Sequence, residues 1–267
     1  ILPVHLFGLS ADMKPINEIA KRYDLWVVED AACGFGAKYY GAHVGTLGTA
    51  GCFSFHPRKA ITTGEGGMVT TPDLELAKKI KCLRDHGATM SDLQRHLGAK
   101  PYLLADHPEA GYNQRMTDIQ GALGAAQMDR AEEIVEERQR LAQIYDDAFA
   151  GLGWLRTPVC PKGYEHGYQS YACMFRPQAA NLAGVSVVNE ARNSWMEKLQ
   201  QDGISTRPAT HAVHMLSFYR NKYGLSPDDF PNAFIANDCS ISLPLFHGMS
   251  EIEQQYVIDV VLGSLNK

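Results

Sequence analysis

The first half of the chain alternates short apolar runs with amphipathic stretches, and this alternation limits the fold more than any other feature. Pro3 to Phe7, Leu25 to Val28, Ala50 to Phe55 and Gly67 to Thr71 read as strands. Between them, Asp12 to Tyr23 reads as a helix, with Ile16, Ile19 and Ala20 on one face and Asp12 near its positive end. Asp73 to Asp85 reads as another, with Leu74, Ala77, Ile80 and Leu83 turned inward. Strands that alternate with helices in this way build a mainly parallel sheet covered on both faces. Residues 88–112 read as a long polar loop, and Thr117 to Ala150 as two helices. The second of these carries Glu132, Glu133, Glu136, Glu137, Arg138 and Arg140 on a solvated face fit to bridge two domains. After Gly151 to Gly153 the pattern changes to short strands (Tyr168 to Arg176), a helix from Asn189 to Gln201 and a last helix from Ser250 to Leu265. Ser250 and Glu253 form a capping box at the start of that last helix. The expected organisation is a large sheet domain over residues 1–138 and a small α+β domain over 139–267.

The class of function narrows next. A net charge of −5 with both signs interspersed leaves no electrostatic footprint for nucleic acid. No apolar run reaches the length of a membrane span. Six cysteines without a paired spacing read as free thiols of a reducing cytoplasm. His211 and His214 have loose metal-like spacing but no third ligand, and no metal is expected. The chain opens on Ile-Leu-Pro-Val-His-Leu-Phe, a strand already under way, so a preceding segment is expected.

In open α/β sheets, ligands gather at the carboxyl ends of the strands. Three segments end there. Val27-Val28-Glu29-Asp30-Ala31-Ala32 takes a strand into Asp30, which either faces a ligand or only caps the next turn. Gly51 to Ser54 leads through His56, Pro57 and Arg58 into Lys59. A lysine just past a buried strand is partly removed from water, and its neutral amine can attack an aldehyde to form a Schiff base; the alternative is a solvated lysine. Thr62-Thr63-Gly64-Glu65-Gly66-Gly67 lets backbone approach closely beside that lysine, or only turns the chain into the next strand. Taken together, an acid at one strand tip and a lysine at another suit pyridoxal 5'-phosphate. The lysine reaches the aldehyde, the acid holds the ring nitrogen protonated, and Ser54 can hydrogen-bond the phosphate.

The runs VHLFG (4–8), VVEDAA (27–32), FSFHPRKAITTGEGGMV (53–69) and GYNQRMTDIQGALG (111–124) closely resemble the DegT-type aminotransferases of nucleotide-linked sugars, perosamine-synthase-like members above all. GISTRP (203–208), DFPNA (229–233) and ISLPLF (241–246) extend the resemblance along essentially the whole chain. It implies the fold-type I architecture of pyridoxal-phosphate enzymes, with a large mixed, mainly parallel sheet and a small C-terminal domain. It also implies a homodimer whose active sites lie between subunits. Lys59 resembles the lysine that bonds the cofactor, Asp30 the partner of the ring nitrogen and Ser54 a phosphate ligand. Asn113 resembles the asparagine that reaches the phosphate from the other subunit, with Arg115 at the same anionic edge. His56 and Arg58 flank the lysine, placed either to meet substrate or merely to pack. Cys33 stands near the ring where relatives commonly carry glutamine. The resemblance further implies that a preceding segment supplies a turn for the phosphate and an aromatic ring over the cofactor. The implied reaction is transamination of a nucleotide-diphosphate keto-sugar with glutamate as donor. Related sugar dehydratases carry histidine in place of the lysine, so Lys59 points away from them. A truncated, non-catalytic protein of the same fold is the alternative from another class.

Overall fold

The computed structural model describes residues 1–90, 98, 100 and 102–264. They form two compact units, one of Ile1–Leu6 with Ser10–Ala131, the other of Phe7–Leu9 with the chain from Glu132 onward.

The first unit contains β1 (Val28–Asp30), a tight hairpin of β2 (Lys38–Tyr39) and β3 (Ala42–His43), then β4 (Ala50–Ser54) and β5 (Gly67–Thr70). β1 runs parallel to β4 with Asp30 opposite Cys52, and β5 closes antiparallel on β4 with Gly67 opposite Ser54. The sheet is therefore mixed, in the order β1-β4-β5. The expected strand over Pro3–Phe7 is only partly realised. Val28 N–H donates to Ile1 O, Asp30 N–H to Pro3 O and His5 N–H to Asp30 O, a parallel register along β1. Val4 with Asp30 is the sole bridge it makes there among the described residues. The run then ends because the backbone turns at Leu6–Gly8, with Phe7 at φ 62° and Gly8 at φ 101°. A further strand pair went unforeseen: Tyr40 (φ 48°) and Gly41 (φ 82°) make the two-residue turn between β2 and β3, and only Gly41 advertises it.

Helix α1 (Met13–Arg22) buries Met13 and Ala20, while Ile19 stays exposed. Helix α2 (Leu74–Arg84) starts on Asp73, whose carboxylate accepts the N–H groups of Glu75 and Leu76. Leu74 was expected to face inward, yet it is 75% exposed. As the first helical residue it stands clear of the face shared by Ala77, Ile80 and Leu83, which are half-buried. The described residues of 88–112 carry no regular element; 91–97, 99 and 101 lie outside the described residues. Helix α3 (Asp118–Met128) opens on a capping box of Thr117 and Gln120.

The second unit holds α4 (Ala131–Phe149) from its second residue on, β6 (Leu155–Arg156), β7 (Tyr171–Phe175), α5 (Val185–Gln201), α6 (Ser217–Tyr223), α7 (Pro231–Cys239), β8 (Ser240–Leu243) and α8 (Glu251–Gly263). β6, β7 and β8 form an antiparallel sheet in that order. Leu141, Tyr145 and Phe149, spaced by four along α4, pack with Tyr171, Phe175, Trp195 and Ile241 into one core. α5 begins at Val185, a turn ahead of the expected Asn189, and α8 starts on the anticipated Ser250–Glu253 capping box. Arg138 departs from expectation. It is 6% exposed and donates to the carbonyls of Tyr168, Gln169 and Leu245, so it belongs to the core face of α4 and not to the solvated one. None of the described helices is long and apolar enough to cross a membrane.

Candidate functional site

β1 and β4 are parallel, so their carboxyl ends open on one edge of the first unit. Asp30 is the last residue of β1 and Ser54 the last of β4. The Asp30 carboxylate accepts the N–H of Ala32 at 3.0 Å, and Ala31 N–H donates to Cys52 O at 2.9 Å. The turn after β1 thereby stays against β4. From that turn the half-buried Cys33 meets the chain that leaves β4: the Lys59 amine donates to its sulfur at 3.1 Å. An amine, a thiol, a carboxylate and a hydroxyl thus belong to the same edge.

The segment carrying Lys59 is a closed turn. Phe55 N–H donates to Gly66 O at its base. Within it, Ser54 Oγ accepts from His56 N–H, His56 Nδ1 from Arg58 N–H and His56 O from Lys59 N–H. His56 therefore shapes the turn that presents Lys59, and Arg58 points to the exposed side. On the return, Thr62 Oγ1 and Thr63 N–H both donate to Phe55 O. Glycine is required at residue 66, where φ is 149° and a Cβ would sit 2.5 Å from Thr63 Oγ1.

Behind the edge lies a buried pair that the sequence reading passed over. His5 and Glu29 are both 0% exposed, and His5 Nε2 lies 2.8 Å from Glu29 Oε2. His5 Nδ1 accepts the N–H of Ala11, which assigns the ring proton to Nε2. Glu29 also accepts the N–H groups of Gly45, Leu47 and Gly48 at 2.6–2.7 Å. Burial alone pushes its pKa up, but these bonds together with His5 hold it below the ordinary value. The available signal was an acid inside an apolar strand, since a buried carboxylate demands partners.

Asn113 and Arg115 occupy a different place. Asn113 forms an antiparallel bridge with Asp85, and Arg115 Nη1 donates to the Asp85 carboxylate at 2.5 Å. Their described contacts join them to Asp85 and not to the edge that holds Lys59.

The donor set fits pyridoxal phosphate in kind: an amine for an aldehyde, a carboxylate for a ring nitrogen, and a hydroxyl at a strand end for a phosphate. Comparison with known proteins agrees. The sequence profile of the DegT/DnrJ/EryC1/StrS aminotransferase family matches residues 1–262. Over 268 residues the chain is 36% identical to GDP-perosamine synthase of Caulobacter vibrioides, covering 100% of this chain and 65% of that one. It is 34% identical to GDP-perosamine synthase of Escherichia coli O157:H7, covering 98% and 64%. An aminotransferase from Psychrobacter cryohalolentis superposes with a TM-score of 0.86 at 27% identity, covering 99% of this chain and 68% of that one. A Streptococcus pneumoniae protein solved in its PLP form superposes with a TM-score of 0.83 at 26% identity, covering 97% and 66%. The chain spans about 65% of the length of these curated relatives. By sequence and by fold it belongs to the DegT/DnrJ/EryC1/StrS family of pyridoxal-phosphate-dependent aminotransferases.

Proposed function

We propose that this chain supplies the cofactor-bearing lysine of a cytoplasmic sugar aminotransferase that moves an amino group from glutamate to a nucleotide-linked keto-sugar. The observation that carries the proposal is the Lys59 amine, presented by a closed turn after β4 and set 3.1 Å from Cys33 of the turn after β1. Pyridoxal phosphate, when bound, would store the amino group and draw electrons from the substrate carbon through its ring.

The chain's own residues would do the rest. Lys59 Nζ would bond the cofactor at rest. Once displaced, it would take a proton from the carbon that carries the donor's amine and later deliver one to the sugar carbon. The Asp30 carboxylate, at the tip of β1, would keep a proton on the ring nitrogen. The Ser54 hydroxyl would donate to the phosphate, and Cys33 would lie beside the ring. His56 and Arg58 would serve the substrate from the turn itself. Asn113 and Arg115, anchored on Asp85, would serve the site of a second subunit in a homodimer. The outer face of α3 supports such pairing, because Ile119 and Leu123 lie exposed there. The large and small domains of this enzyme would correspond to residues 1–138 and 139–267.

The test adds pyridoxal phosphate to the chain, records the visible band, reduces with borohydride and maps the labelled peptide. Label on Lys59, loss of the band in Lys59→Ala and bleaching by glutamate are expected. Label spread over exposed lysines, with the same band in Lys59→Ala, would remove Lys59 from the chemistry.

A further inference from the structure

The turn that presents Lys59 is held from outside by helix α3, through contacts the chemistry above does not use. Gln127 lies 65 residues from Thr62 along the chain and pairs with its peptide group on both sides. Its Oε1 accepts the Thr62 N–H at 3.1 Å, and its Nε2 donates to the Thr62 carbonyl at 2.5 Å. One amide thus does for Thr62 what a neighbouring strand would do. Seven residues earlier on the same helix, Gln120 Nε2 donates to Glu65 O at 2.9 Å, while its Oε1 closes the capping box on Thr117. Between the two glutamines stands Gly124, where a Cβ would come within 3.1 Å of the Thr63 methyl. Residues 120, 124 and 127 share one face of the helix, spaced four and three apart. That face is amide, bare backbone, amide, and it is fitted to the 62–66 backbone.

We propose that Gln127, assisted by Gln120, is a positioning residue for Lys59. The inference rests on the function proposed above, and it deepens that reading by naming what aims the lysine. The reasoning is geometric. Lys59 is bracketed by two anchored points. On one side His56 and Ser54 tie it to the end of β4. On the other, the peptide group of Thr62 is fixed from outside the turn by Gln127. Thr62 Oγ1 and Thr63 N–H both end on Phe55 O, so the return limb can tighten the turn only if Thr62 itself is held. Gln127 supplies that hold. Without it, the Thr62 peptide group would lose its hold on α3, the return limb would keep its bonds to Phe55 O alone as anchor beside Thr62, and the amine would leave Cys33 for part of the time.

The experiment reads the position of the amine directly, without cofactor. o-Phthalaldehyde joins an amine and a thiol into a fluorescent isoindole when the two lie side by side. In the full chain it should link Lys59 to Cys33, with the site mapped by mass spectrometry and absent in Cys33→Ala. Gln127→Ala should slow this link by about tenfold, the share of two hydrogen bonds of ordinary strength. Gln127→Glu, which keeps shape and one acceptor but sets an oxygen against the Thr62 carbonyl, should slow it similarly at neutral pH and stands in if the alanine variant does not fold. Gln143→Ala, on the exposed face of α4, should leave the rate unchanged. A general loosening would also raise labelling of the buried thiols Cys173 and Cys239; positioning predicts that their labelling stays constant. Linking at the wild-type rate in both Gln127 variants overturns the proposal, and so does a wild-type chain that forms no Lys59–Cys33 link. Cofactor capture by borohydride reduction is scored separately. A chain that captures pyridoxal phosphate on Lys59 while Gln127 proves irrelevant keeps its proposed function and loses only this inference.

Discussion

His166 shows how the fold decides the charge of one side chain. It is 5% exposed, its ring stacks on Tyr168 at 4.0 Å, and its Nδ1 accepts the Tyr168 N–H at 2.8 Å. Burial pulls its pKa down from 6.5 to about 4. Between these values an unfolded chain binds the proton and the folded one does not. Stability therefore rises with pH through this window, is intact above pH 6.5, and falls as the pH drops toward 4. From neutral pH to about pH 5 the loss from this residue alone should be ~2 kcal/mol. Urea unfolding at the two pH values should show it in the wild type, and His166→Gln should remove most of the difference. An equal pH dependence in both proteins would mean that His166 is accessible to protons in the folded state.

At the scale of elements, Glu29 joins three pieces of backbone: the opening segment through His5, β1 itself, and the 45–48 turn through three N–H groups. Glu29→Gln keeps the shape but turns an NH₂ group toward donors, which should cost about 2–4 kcal/mol. Its folded pKa lies below the ordinary 4.5, so its contribution is present above that value and is lost as acid titrates the folded carboxylate. The acid limb of unfolding, below about pH 4.5, should be shallower in Glu29→Gln than in the wild type. Matching acid limbs would show that the carboxylate is not ionised in the fold. Much at this scale was legible beforehand. An apolar run that stops at an acid gave the end of β1, and the run from Ala50 gave β4 with its end one residue late, at Phe55 instead of Ser54, because period and polarity are local signals. Charge patterning along α4 showed several ionic side chains without saying which one lies inside, so Arg138 was misplaced. The grip of Gln127 on Thr62 had no local trace, since an amide that bonds backbone 65 residues away leaves no period in the sequence. The β2–β3 turn was hidden for a related reason: Tyr40 adopts φ 48° without being a residue that favours it.

At the scale of the whole molecule, the surface carries a net charge of −5 and also a helix that does not behave like a surface helix. None of the residues of α3 is fully buried, yet apart from its capping end and Gln127 it is built of alanine, glycine, leucine, isoleucine and methionine. One face meets the Lys59 turn through Gln120 and Gln127. The adjoining face presents Ile119, 84% exposed, with Leu123 one turn on, and Ala122 and Ala126 beside them. Apolar side chains set together in this way gain about 25 cal/mol for each Å² they remove from water, which favours association over continued exposure. A second copy of the chain is the partner that the proposed shared active site requires. Sedimentation of the wild type should therefore give the mass of a dimer at micromolar concentration. Ile119→Glu, which sets a carboxylate on that face and leaves both glutamine contacts intact, should shift the mass to that of a monomer while helix content and the Lys59–Cys33 link stay unchanged. A variant that still sediments as a dimer would place the subunit contact elsewhere and leave α3 with one task, that of holding the turn.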